Sequence, residues 1–168
     1  MTIAYVADVE AGAVGTPDGV TTGAVDTSGA NSCVLGYLSY TPGGAGTASD
    51  SKGNSYTGGT SSINTNVTAG ILHSANATVG ASHTFTITAT GRYPTLMAAA
   101  FSGMKLSSPA DQQAGAIGTA TTAQPGSITP AEDDELVVAV ICFGEAASVT
   151  INLGFAETGD IAFSSGNH

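Results

Sequence analysis

The chain has no tryptophan, and its 168 residues include only three basic ones, Lys52, Arg92 and Lys105. Against thirteen acids this leaves a net charge of −10. A protein that grips a phosphate backbone needs clustered Lys and Arg, so nucleic-acid binding is excluded, and an anionic membrane would repel this surface. Charged residues make up 10% of the chain, against ~25% in an average soluble domain. Strong helix formers are scarce and no amphipathic helical period stands out, which argues against a helical bundle. No apolar run approaches the ~20 residues of a membrane-spanning helix. The N-terminus lacks the basic start of a secretory signal.

Two cysteines, Cys33 and Cys142, do not make a disulfide framework in a chain of this length. Each falls in an apolar stretch. They read as buried free thiols or as one bridge between facing strands, which would require Cα atoms within ~7 Å. A catalytic thiol needs a basic or polar neighbour to lower its pKa, and the sequence around Cys142 has none.

What the chain does have is Gly, Ala, Ser, Thr and Val in short runs divided by turns, the composition of an all-β protein. The stretch Glu135–Gly144 is a run of apolar, largely β-branched residues behind an acidic turn (Glu132–Glu135). It reads as the central, doubly buried strand. Ser32–Tyr40, His83–Thr90 and Tyr93–Gly103 share its character, with Tyr37 and Tyr40 marking where the first of these emerges. Ser82–Thr90 alternates most cleanly: Phe85, Ile87 and Ala89 face a core while Thr84, Thr86 and Thr88 face water. It is expected to form a hairpin with Tyr93–Gly103 through Gly91-Arg92.

Weaker strands are expected at Thr2–Asp8, Val20–Asp26, Ala69–Ser74, Ala114–Thr122 and Ser148–Leu153. Thr41–Ser49 and Gly58–Ser62 read as surface loops, and Asp50–Tyr56 as a tight turn. The whole is a single domain, residues 1–168: an antiparallel β-sandwich, jelly-roll-like, of roughly nine or ten short strands.

Chemistry is sparse. There is no Gly-x-Ser-x-Gly elbow, no His/Cys cluster at zinc-ligand spacing, and no carboxylate pair backed by aromatic sugar platforms. His83 reads as an exposed residue at the start of a Thr-faced strand. Asp50 and Asn54, with a loop carbonyl, are the candidates for a calcium site, although a plain β-turn accounts for the same residues. No cofactor and no catalytic residue is implied.

Several segments occur in a telling order: Thr21–Thr27 (TTGAVDT), Asp50–Tyr56 (DSKGNSY), Tyr93–Gly103 (YPTLMAAAFSG), Ser108–Gln112 (SPADQ), Pro125–Pro130 (PGSITP) and Glu135–Ala139 (ELVVA). In this order the chain, from about Val20 onward, resembles a group of β-sandwich, jelly-roll-like proteins of tailed bacteriophages and of bacterial surfaces. The resemblance implies a non-enzymatic structural or binding module, with a virion surface protein of the capsid decoration (cement) or fibre type as first choice. Its partners would be further copies of itself or a capsid protein. The alternatives are a carbohydrate-binding or adhesive module at a bacterial surface, using Tyr37, Tyr40, Tyr56 or Tyr93, and an extracellular filament subunit. The resemblance also leads one to expect one or two further strands after Phe163–His168; either the chain is a fragment, or a sheet edge is left open for pairing.

Overall fold

The computed structural model describes residues 2–15, 18–40, 45–59, 61–63, 67–89, 91–143, 150 and 154–161. Among these the protein is all-β, with nine strands and no helix. The strands are β1 (Ala4–Gly12), β2 (Gly19–Thr21), β3 (Ser32–Tyr40), β4 (Thr47–Asp50), β5 (Thr57–Gly58), β6 (Ser62–Ile63), β7 (Val67–Ala75), β8 (Phe85–Thr88) and β9 (Arg92–Ser102). They form two antiparallel sheets. The larger runs β1-β9-β3-β7-β5, with β6 also on β7, and the smaller runs β2-β8-β4.

The core lies between the sheets. Cys33, Leu35 and Tyr37 of β3, Leu96, Ala98 and Ala100 of β9 and Leu72 of β7 meet Phe85 and Ile87 of β8. Register explains the grouping, because Leu35 stands opposite Leu72 on one side and Ala98 on the other. The Tyr37 ring lies deep in this layer at 1% exposure. It fits because Gly70, its cross-strand partner, has no side chain; a Cβ there would sit 2.6 Å from the ring. The hydroxyl is not stranded, since it accepts from the Gly46 amide (2.9 Å) and bonds Ser61 Oγ (2.8 Å). Tyr37 therefore does not mark the end of a strand. Tyr40, 36% exposed, does.

The larger sheet is apolar on its outer side too. Val34, Gly36 and Leu38 of β3 alternate with the core residues, as do Met97, Ala99 and Phe101 of β9. Val34 and Phe101 are each only 8% exposed. Cover comes from beyond β9: Val140 sits against Gly36, and Gly159 lies against Met97 and Glu10.

This corrects the expectation for Glu135–Gly144. Residues 135–143 belong to no strand, and Val137 (40%), Val138 (37%), Ile141 (40%) and Phe143 (43%) stay substantially exposed; Gly144 lies outside the described residues. The central strand is β3, whose two edges are already taken by β9 and β7. The 135–143 run finds no free edge there and crosses the face instead.

The expected hairpin of Ser82–Thr90 with Tyr93–Gly103 is also not formed. β8 pairs with β2 and β4 in one sheet, while β9 pairs with β1 and β3 in the other. The chain changes layer around Gly91 (φ 148°) and Tyr93 (φ 52°), both of which have positive φ. The alternation itself holds, with Phe85, Ile87 and Ala89 buried and Thr88 exposed.

Elsewhere the strand limits shift. β1 runs on to Gly12, β7 is longer than Ala69–Ser74, and Thr47–Ser49 belongs to β4 rather than to a loop. Of Val20–Asp26 only Val20 and Thr21 lie in a strand, β2, and Val25 makes an isolated bridge to His83. Ala114–Thr122 is exposed and forms no strand. Of Ser148–Leu153 only Thr150 is described, and Phe163–His168 lies outside the described residues.

Candidate functional site

Among the described residues, polar and titratable side chains concentrate in the interior at one end of the sandwich, where three loops converge on Asp50. Asp50 is the last residue of β4 and stands opposite Phe85, so it points inward as Phe85 does. Its side chain has no exposed surface. Oδ1 accepts the backbone amides of Lys52 (2.9 Å) and Asn54 (3.1 Å). Oδ2 accepts Asn54 Nδ2 (2.7 Å) and the Tyr56 hydroxyl (2.6 Å). This is the self-capping turn that Asp, Gly and Asn favour, driven into the core.

His83 approaches the same carboxylate, with Nε2 3.1 Å from Oδ2 and both side chains at 0% exposure. The contact lies off the line of a hydrogen bond, so Nε2 has no aligned acceptor. The imidazole stacks on Phe85, centroids 4.2 Å apart at 27°. Nδ1 lies 2.9 Å from Thr27 Oγ1. Thr27 in turn receives the Gly80 amide (3.0 Å) and donates toward its carbonyl (3.2 Å). Asn54 grips the neighbouring stretch in the same way, its Oδ1 accepting the Thr78 amide (2.7 Å) while Nδ2 donates to the Thr78 carbonyl (2.9 Å).

Burial pushes the Asp50 pKa upward, but the bonds from Tyr56 and Asn54, with the His83 ring close beside them, outweigh it and hold the carboxyl down at about 2. Burial and the Asp50 bond both push the Tyr56 phenol above its ordinary value. Burial, with the Asp50 charge behind it, raises the Cys33 thiol to about 12; burial also lifts Cys142, to about 11. Both cysteines are free thiols, and neither is disposed to be a nucleophile at neutral pH.

In residue type, Thr27, His83 and Asp50 match a hydroxyl–imidazole–carboxylate relay. In this structure the relay is closed. Thr27 is 1% exposed and His83 0%, and the hydroxyl is committed to Gly80. No substrate carbonyl reaches it. What the arrangement does is fasten the 22–31, 50–56 and 76–83 segments to one another.

His83 was expected at the surface and is instead a fully buried member of the hub. The period-two alternation contained the signal, because 83, 85 and 87 share a face. Asp50 and Asn54, the calcium candidates, do come together, but Asp50's oxygens are occupied by protein donors and Asn54 turns its amide nitrogen toward them. Among the described residues no group of three or more His, Cys, Asp or Glu side chains could hold a metal. The sequence gives Thr27 no chemical role and Tyr56 only that of an aromatic for sugar stacking; the fold joins their segments, Thr21–Thr27 and Asp50–Tyr56, through His83.

Outside the hub, a hollow of about 330 Å³ is lined by Tyr37, Tyr56, Gly46, Gly58 and Leu72. Both tyrosine hydroxyls there are already bonded to the protein. Tyr40 and Tyr93 form a separate edge-on pair, centroids 6.3 Å apart. Comparison with protein-family models, with curated proteins and with solved structures found no match to the chain.

Proposed function

We propose that this protein is a non-catalytic structural and binding module of a virion surface, a capsid decoration or fibre-type protein that works as a symmetric oligomer. The observation that carries the non-catalytic part is the sealed Thr27–His83–Asp50 hub: the side chains best suited to chemistry are spent on holding loops. The virion assignment rests on the order of the sequence segments that resemble phage and bacterial surface sandwiches. A net charge of −10 suits a part exposed to solvent in many copies, since it suppresses indiscriminate association. Sedimentation with purified capsids tests the reading. Retention at a fixed copy number per capsid is the expected result, and recovery of all the protein in the supernatant refutes it.

A second reading, a carbohydrate-binding or adhesive module at a cell surface, is favoured by the Tyr40–Tyr93 pair, since a partly exposed aromatic pair offers a stacking surface. It predicts retention on a polysaccharide column that Tyr40→Ala abolishes.

A further inference from the structure

The outer face of the larger sheet has to be covered, and the structure shows by what. Gly36, at the middle of β3, forms a hole in that face, and Val140 fills it: a Cβ at position 36 would run into Val140 Cγ2 and lie 3.8 Å from Val140 Cβ. The covering piece is Leu136–Phe143, which carries no charge in a chain of −10. Two copies of so acidic a protein meet at least electrostatic cost through such a segment.

The same run is poorly used within its own chain. It joins no ladder and leaves four of its large apolar side chains 37–43% exposed. It is joined to β9 by a connection, 105–134, that has no strand and is exposed nearly throughout. Such a connection of about 30 residues spans at most ~100 Å when extended, far beyond the ~15 Å radius of gyration of a domain this size. Its near end is pinned by Asn31, which bonds both the amide (3.2 Å) and the carbonyl (3.0 Å) of Met104. Further on, Gln113 and Gly115 lie close against Gly59 and Ser62 at the β5–β6 edge, and the ties nearer the run are superficial. Lys105–Glu132 is an exposed ion pair at 2.6 Å, a type that contributes little, and Ala131 donates to Asp111 at the surface.

We propose that the 135–143 run is an exchangeable strap: in the assembled protein it leaves its own sheet and seats Val140 on Gly36 of a second copy. Exchange costs little in contacts, because the bond made in trans is the one broken in cis. The proposal rests on the reading of this protein as a self-assembling module, and does not depend on which surface the assembly decorates.

The test exploits the 3.8 Å spacing, which is the usual Cβ···Cβ distance of a disulfide. In a Cys142→Ser background, Gly36→Cys and Val140→Cys are made as two separate proteins, mixed at assembly concentration, and oxidised. Cys33 is buried and serves as an internal control through each protein oxidised alone. Covalent heterodimer in the mixture, well above the dimer formed by either protein alone, is the expected result. Heterodimer no more abundant than those background dimers, from proteins that keep their β circular dichroism, overturns the proposal. Should either single variant fail to fold, light scattering of the unmodified chain decides: a monomer at every concentration overturns strap exchange, and a dimer sustains it. A dimer that ignores capsids would leave the strap standing and remove the virion assignment.

Discussion

Ser32–Tyr40 and Glu135–Phe143 are near twins as sequence, both rich in apolar residues, both carrying a cysteine, both about the length of a sheet-spanning strand. The fold treats them oppositely. The first is the middle of the larger sheet, with Leu35 fully buried; the second lies on that sheet's outer surface and pairs with nothing in a ladder. Apolar character makes a segment seek cover, but a strand also needs a free neighbour for its amides and carbonyls. β3 has β9 on one side and β7 on the other, in register over nearly its whole length. The later run meets a sheet whose centre is occupied and can supply only side chains.

The contrast can be broken or sharpened by mutation. The largest loss is expected from the hub that closes the end of the core: Asp50→Ala removes a buried charge that His83, Tyr56 and two amides all face. Stranding those donors should cost about 4 kcal/mol, read from urea unfolding. Within β3, Leu35→Ala should cost about 3 kcal/mol by cavity formation, whereas Ile141→Ala in the surface run should cost under ~1 kcal/mol. Equal losses at the two positions would show that the run is a core strand after all.

A smaller effect is expected with pH. The Asp50 carboxyl is depressed in the folded protein to about 2, from an ordinary value of 3.8. Its contribution is therefore complete above about pH 4 and drains away as the pH falls toward 2. Urea midpoints measured from pH 5 to pH 2 should drop, and the drop should be shallower in Asp50→Asn. The smallest effect is at the exposed surface pair Lys105–Glu132, where Lys105→Ala should leave the urea midpoint unchanged and the β circular dichroism intact.

Much of the fold was legible in the chain because local pattern and tertiary environment agree there. β3 was placed to the residue, and the Phe85/Ile87 alternation described its two faces correctly. What the sequence concealed was long-range. Gly91-Arg92 looks like a hairpin turn, yet the strands on either side belong to different layers, a distinction set by partners some forty to seventy residues away. His83 was misjudged through its polarity; its parity with Phe85 pointed inward, and the carboxylate that makes burial tolerable comes from another strand. Asp50–Tyr56 was recognised as a turn, but nothing local in it announces that the turn faces the core.

The central claim, that β3 and not the 135–143 run is the middle of this molecule, is tested most directly by native-state hydrogen exchange resolved to single amides. Amides of Cys33–Leu38 should open only with global unfolding, while those of Leu136–Phe143 should exchange orders of magnitude faster. Equal protection in the two stretches would contradict it.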